Sequence, residues 1–248
     1  MGRYMLADMR RFTRQKSRFI YVTFILALIV LMGFLSKKFK WGDSVYNLVM
    51  SYAIAAFPIV IGPTIFIALF SDDFRYKSIQ QVIGRGLSRT KYVIAKFIEC
   101  ILINVFYMIL IFGAYFLATK AFGIVIDKEE MTMITTSCLQ GVIMTVGYIS
   151  IAMILVFAWQ NITLGLWIFF ALAAGIVSTA VTLIFTFDFL PKAMQKLSNY
   201  LFSSMVNGFI TALIEGKFDI MIIPAVLIYI VLPVIISCAL FKTVELDF

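Results

Sequence analysis

The sequence predicts an all-α, polytopic membrane protein, on three observations. Hydrophobic residues make up 62% of the 248 positions and charged residues only 14%, against about 25% charged in ordinary soluble domains. Mean hydropathy is +1.02. The apolar residues gather into six stretches long enough to cross a bilayer, and Lys and Arg collect in the polar segments between them. Residues 1–248 are read as a single transmembrane domain.

Residues 1–18 carry Arg3, Arg10, Arg11, Arg14, Lys16 and Arg18. Tyr4, Met5, Leu6 and Met9 share one helical face, with Arg10, Arg11 and Arg14 largely off it. An amphipathic helix on the inner membrane surface is expected. Span one, residues 19–35, is barely long enough to cross, and no small-residue cleavage pattern follows it, so it is read as a retained signal anchor. A loop over 36–46 holds Lys37, Lys38 and Lys40. Span two, residues 47–70, contains Pro58, Gly62 and Pro63, and a kink near its middle is expected.

A polar island over 71–96 comes next. Span three is 97–119, followed by a hydrophilic loop with Asp127, Glu129 and Glu130. Only Gln160 and Asn161 separate span four (132–159) from span five (162–187), so those two form an antiparallel hairpin. Residues 188–219 are too polar for a normal span, yet carry Leu201, Phe202, Phe209 and Ile210. Two readings stand: short amphipathic helices forming an outer hairpin, re-entrant or resting on the membrane, or an extramembrane loop with an apolar underside. Span six is 220–241. With the N-terminus inside, the cytoplasmic segments hold thirteen Lys and Arg and the outer ones eight, which places both termini in the cytoplasm. The net charge of +8 therefore reflects membrane topology, and no nucleic-acid partner is expected.

The polar island has internal structure. Asp72 or Asp73 is positioned to cap a helix start. Ile79, Val82 and Ile83 make one apolar edge at helical spacing. Gly84 and Gly86 stop that helix and form a hinge, because glycine adopts the left-handed conformation cheaply. Ser88 caps the next helix, which runs into the membrane. The expected object is a short helix over 74–83, a glycine joint, and then span three.

Catalytic chemistry is nearly absent from the sequence. There is no histidine, which removes imidazole metal sites, His-based triads and His proton relays. Cys100, Cys138 and Cys238 have no paired spacing. No phosphate-binding loop of the Gly-x-x-x-x-Gly-Lys-Ser/Thr type occurs. The chain is not expected to be an enzyme or to hold a metal or cofactor, so any work it does draws on a partner or an ion gradient. Glu99 is the one ionisable group well inside a predicted span, and such a group is a functional candidate. It follows Lys96 by three residues, so the two share a helix face and can pair.

Phe70-Ser-Asp-Asp-Phe, Lys77-Ser-Ile, Val82-Ile-Gly-Arg-Gly-Leu-Ser-Arg-Thr-Lys-Tyr and Ala95-Lys96 together resemble the cytoplasmic loop of type-2 ABC exporter permeases. The pattern is most similar to the small permeases of bacterial bacitracin, lantibiotic-immunity and antimicrobial-peptide exporters, and the resemblance in layout covers the whole chain. It implies a bacterial plasma-membrane protein working with a second permease copy or paralogue and a separate ATPase subunit that holds ATP and magnesium. It implies that the helix after span two is a coupling helix docking on that ATPase, with Asp72, Asp73, Phe74, Arg75, Tyr76, Lys77, Ile79, Val82, Ile83 and Arg85 at the contact and Gly84 and Gly86 as hinge. Arg89 is a further candidate contact. The cargo implied is an amphipathic or lipophilic molecule such as an antimicrobial peptide. The pair Asp72-Asp73 departs from the family pattern, where a glutamate or a single acid is expected. Two other classes fit the composition: a gradient-driven secondary transporter using Glu99, and a non-transporting membrane immunity protein that sequesters its ligand.

Overall fold

The computed structural model describes residues 1–14, 16–75, 78–186, 200–216 and 222–244. Among the described residues there is no strand. The helices are α1 (Gly2–Arg14), α2 (Lys16–Phe39), α3 (Asp43–Ala55), α4 (Phe57–Val60), α5 (Gly62–Arg75), α6 (Ser78–Gly84), α7 (Arg89–Phe122), α8 (Lys128–Trp159), α9 (Ile162–Ala173), α10 (Ile176–Thr186), α11 (Phe202–Glu215) and α12 (Ile222–Thr243). Among the described residues five helical stretches are long and apolar enough to cross a membrane, six if α9 and α10 are one span bent by 60°. This is an all-α, multi-pass membrane architecture.

Helix ends follow local chemistry. The expected kink in span two is two interruptions, at Ala56 and Ile61, flanking α4. Pro58 and Pro63 supply no amide to the preceding turn, so carbonyls there lose their helical donors. Beside them the Thr64 amide turns to the Ile61 carbonyl at 3.0 Å, and the Val60 carbonyl accepts instead from the Tyr21 hydroxyl at 2.7 Å. Span five departs from expectation, since it is broken rather than continuous: Gly175 sits at φ +72° and ends α9, and α10 starts afresh beyond it. Spans one and three are longer than predicted, because α2 runs on to Phe39 and α7 begins at Arg89. The α8–α9 connection is the expected tight turn. Gln160 takes a left-handed conformation, and the Asn161 side chain accepts from the amides of Thr163 and Leu164 at 2.9 and 3.3 Å.

α8 is the central helix, packed against α3, α7, α9, α11 and α12. Two glycines set how closely its neighbours approach. A Cβ on Gly165 would lie 2.3 Å from Val156 and 2.9 Å from Phe66, and one on Gly62 would lie 2.4 Å from the Phe169 ring. The Phe66 and Phe169 rings stack in the seam between α5 and α9, 5.8 Å apart.

Within the polar segment before span six, the described part packs along α8. Phe202 at the start of α11 packs on Tyr148, near the middle of α8, with ring centroids 5.6 Å apart. Further along, the Gln140 amide donates to Asn207 at 2.8 Å. α11 thus runs antiparallel to α8, burying Phe202, Val206 and Ile210. The remainder of that segment, 188–199 and 217–219, lies outside the described residues.

At the end of the bundle away from α1, a polar clasp joins α3 to the α7–α8 connection. Asn47 donates to the Glu130 carboxylate at 2.6 Å and to the Val125 carbonyl at 3.0 Å, and accepts from the Tyr115 hydroxyl at 2.8 Å. Asp43 accepts from the Val125 amide.

Gly165→Ala is expected to destabilise the chain by about 1–3 kcal/mol, the usual effect of overpacking. Thermal unfolding in detergent should drop clearly, whereas Gly113→Ala, where an added methyl meets nothing within 4 Å, should leave it almost unchanged.

Candidate functional site

The first eighteen residues contain one acid, Asp8, and it falls on the face of α1 that meets the bundle. Helical spacing places Tyr4, Asp8, Arg11 and Phe12 together. Phe12 is buried, while Leu6 is 64% exposed. This divides the expected apolar face: Tyr4 turns to the bundle while Leu6 points away from the protein, and Arg11 belongs to the packed face. The reason is chemical, since the surface α1 meets is itself charged.

That surface is built from the end of α5, the start of α6 and the first turns of α7. Its centre is Lys96, with no exposed surface. The Lys96 ammonium pairs with Asp8, lies 2.6 Å from Asp73 and 3.4 Å from Glu99. Asp73 collects donors from three helices. It accepts from Arg11 at 2.9 Å, Ser78 at 2.8 Å, Tyr92 at 2.6 Å and Tyr4 at 3.4 Å. Arg11 also reaches Asp8 at 2.6 Å and Asp72 at 3.8 Å. The Lys96 ammonium stands 5.7 Å from the ring centroids of both Tyr4 and Tyr92. Burial raises the Tyr4 hydroxyl above the ordinary tyrosine range, outweighing the opposing pull of Lys96. Burial works against the charge of Arg11, but Asp73 and Asp8 overcome it and hold the guanidinium firmly protonated.

The predicted Lys96–Glu99 pair is present, but it is the longest contact Lys96 makes to a carboxylate. One Glu99 oxygen, Oε1, is buried without a hydrogen-bond partner. Asp73, expected as a helix cap, lies instead in the last turn of α5 and is 2% exposed. Asp72 also lies within α5 and caps no helix start, because α5 runs unbroken to Arg75. Phe74 is half-buried against Phe157. Of the expected helix over 74–83, Phe74 and Arg75 are the last residues of α5 and 78–83 belong to α6. Of its apolar edge, Ile79 is buried and the partly buried Val82 and Ile83 pack on the core. The side chain of Arg75 and the whole of Tyr76 and Lys77 lie outside the described residues.

The glycine joint also divides differently from expectation. Gly84 is the last residue of α6, and Gly86, at φ +92°, is the residue that turns the chain. The Gly86 amide donates to the Ile83 carbonyl at 2.9 Å and the Leu87 amide to Val82 at 3.3 Å, a Schellman closure. Ser88 caps α7 as expected, accepting from the Lys91 amide. Arg89 is partly buried. It donates to the carbonyls of Phe241, Lys242 and Val244 at 2.9, 3.1 and 2.5 Å and closes the C-terminal end of α12, where carbonyls lack helical partners and favour a cation.

Four elements therefore meet at one buried ion cluster, and an open groove of about 890 Å³ lies beside it. Tyr4, Asp8 and Arg11 form one wall, Val82 and Leu87 the other, and Asp73 part of the floor. The exposed side of α6 and its turn presents Gln81, Gly84, Arg85 and Gly86. Sequence reading missed Asp8, Tyr4, Arg11, Tyr92 and Ser78 as members. The one available signal was a lone acid on the inward face of a basic helix. Among the described residues no group of His, Cys, Asp or Glu is arranged to hold a metal. No family model matches the chain, and no curated protein matches it in sequence.

Lys96→Met leaves Asp73, Asp8 and Glu99 buried without their shared cation. A loss of about 3–5 kcal/mol is expected, as for one partner removed from a buried ion pair. Lys96→Met combined with Asp73→Asn should recover part of that loss in detergent melts, and strict additivity of the two would contradict the coupling.

Proposed function

We propose that this chain is the membrane-spanning permease of an ABC-type exporter, driven by a separate ATPase subunit. The observation that carries the reading is mechanical. α6 is a short helix between two membrane helices, and its first residue, Ser78, bonds to Asp73, which bonds to Tyr92 and Lys96 on α7. A displacement of α6 by a soluble partner is thereby passed to a membrane helix and, through Arg11 and Asp8, to α1. The rigid Schellman turn at Gly86 makes the joint between α6 and α7 defined rather than slack. Gln81 and Arg85 are the side chains that α6 and its turn offer to the partner. The chain supplies no phosphate loop of its own, so nucleotide and magnesium belong to the partner. Two permease copies or a paralogous pair enclose the path, the cargo is amphipathic or lipophilic, and the α1 end with its basic residues faces the cytoplasm of a bacterial cell.

The unpartnered Oε1 of Glu99 favours one rival, a gradient-driven transporter in which Glu99 is the coupling acid. The two separate in experiment. Glu99→Gln leaves ATP-driven transport largely intact under the permease reading and abolishes transport under the gradient reading.

The direct test is mild-detergent purification from the native host and mass spectrometry of what accompanies the chain. A soluble ATPase at one copy per permease is expected. Gln81→Glu with Arg85→Glu should weaken its retention about tenfold or more, since reversing charge at a contact both removes attraction and adds repulsion. A folded chain that purifies with no ATPase would overturn the reading.

A further inference from the structure

A second cavity lies at mid-depth in the bundle, away from the ion cluster, and neither Glu99 nor α6 takes part in it. Its volume is about 160 Å³, and it is lined by Tyr148 of α8, Leu172 and Ser178 on either side of the α9–α10 break, Phe202 and Ser203 of α11, and Tyr229 of α12. The geometry points to a binding site for an uncharged, ring-bearing lipophilic group that carries a hydroxyl or similar donor. This names a cargo class, and for its role in transport it rests on the permease reading above.

Three features specify the ligand. First, among the described residues no Asp, Glu, Lys or Arg lines the cavity, so a permanent charge placed against these walls loses its hydration with nothing in them to replace it. Second, the walls are aromatic. Phe202 packs on Tyr148 at 5.6 Å and on Tyr229 at 5.8 Å between ring centroids, tilted rather than stacked flat, and edges and faces so arranged suit a further ring. The tyrosine hydroxyls are committed elsewhere: Tyr229 donates to the Tyr200 carbonyl at 2.5 Å and Tyr148 to the Met144 sulfur at 3.5 Å. Third, Ser178 spends its proton on the Gly175 carbonyl at 2.9 Å, which leaves its oxygen able to accept from a ligand hydroxyl.

The backbone makes room for this. Span five breaks at Gly175, so Leu172 and Ser178 border the cavity from two separate helices. Phe202 reaches its position only because residue 147 is glycine: a Cβ there would stand 2.2 Å from the ring. Irregular backbone is tolerated within a membrane where it is packed in protein or borders a cavity, and this break does border one.

The test uses the full chain in lipid nanodiscs, without any partner, and 4-fluorophenol as probe, read by fluorine NMR against empty nanodiscs. Saturable broadening beyond that of the empty discs is expected, with no saturable broadening for the 4-fluorophenyl-trimethylammonium ion. Ser178→Ala keeps the cavity and removes the acceptor, and binding should weaken about fivefold. Ser178→Leu fills the cavity and should abolish it, with helical content by circular dichroism showing that the variant folds. Broadening no greater than lipid partitioning, equal binding of the ammonium ion, or unchanged binding to Ser178→Ala would each overturn the site. Because the readout needs no ATPase, a failure here leaves the permease reading standing, and loss of the ATPase in purification leaves the site standing.

Discussion

Lys96 is the residue on which the α1 end of this molecule depends. An ammonium group without exposed surface is tolerable only if its lost hydration is replaced by fixed negative charge and hydrogen-bond acceptors. Asp8, Asp73 and Glu99 provide this, and each comes with a structural obligation. Asp8 ties α1 down, Asp73 fixes the last turn of α5, and Glu99 places the demand within α7 itself. Arg11 then balances the surplus of acids and draws α1 closer. A helix that on composition alone would lie on a membrane surface is instead joined to the bundle by charge.

The two polar ends of the bundle differ in kind. At the α1 end full charges meet, and removing any one leaves another stranded. At the opposite end the Asn47 amide, the Tyr115 hydroxyl and Glu130 form a clasp of hydrogen bonds, and the ion pair beside it, Lys37 with Asp43 at 3.7 Å, is partly in solvent. Between them run helices held by close aliphatic and aromatic packing, notched by glycine at 62, 147 and 165. Rigid polar ends with a middle broken at Ala56, Ile61 and Gly175 form a body that can flex at mid-depth while its ends stay intact.

Much of this was legible in the sequence. Composition and the spacing of apolar stretches predict the helical membrane architecture, Pro58 and Pro63 the interruption of span two, Gln160-Asn161 the tight hairpin, and Ser88 the start of α7. These are local effects that one or two residues decide. What was not legible depends on long-range contacts. Asp73 reads as an exposed cap because its neighbours Asp72 and Arg75 are polar; only Tyr92, nineteen residues on, and Arg11, sixty-two residues earlier, show it to be interior. Ile79, Val82 and Ile83 were recognised as one face, but no periodicity says whether such a face meets a partner or the protein's own core. The break in span five went unread because a single glycine in an apolar helix is common and only its left-handed conformation makes it a terminus.

The Arg89 clamp carries a consequence for biogenesis. Arg89 opens α7 and its guanidinium is satisfied by carbonyls at 241, 242 and 244, about 150 residues further along the chain. During synthesis the third membrane helix is made with its terminal cation unclaimed, and it stays so until α12 has been threaded and its end released from the ribosome tunnel. Closure of that bond requires α12 to be threaded in the matching orientation, since an inverted α12 would put its carbonyls on the wrong side of the bilayer.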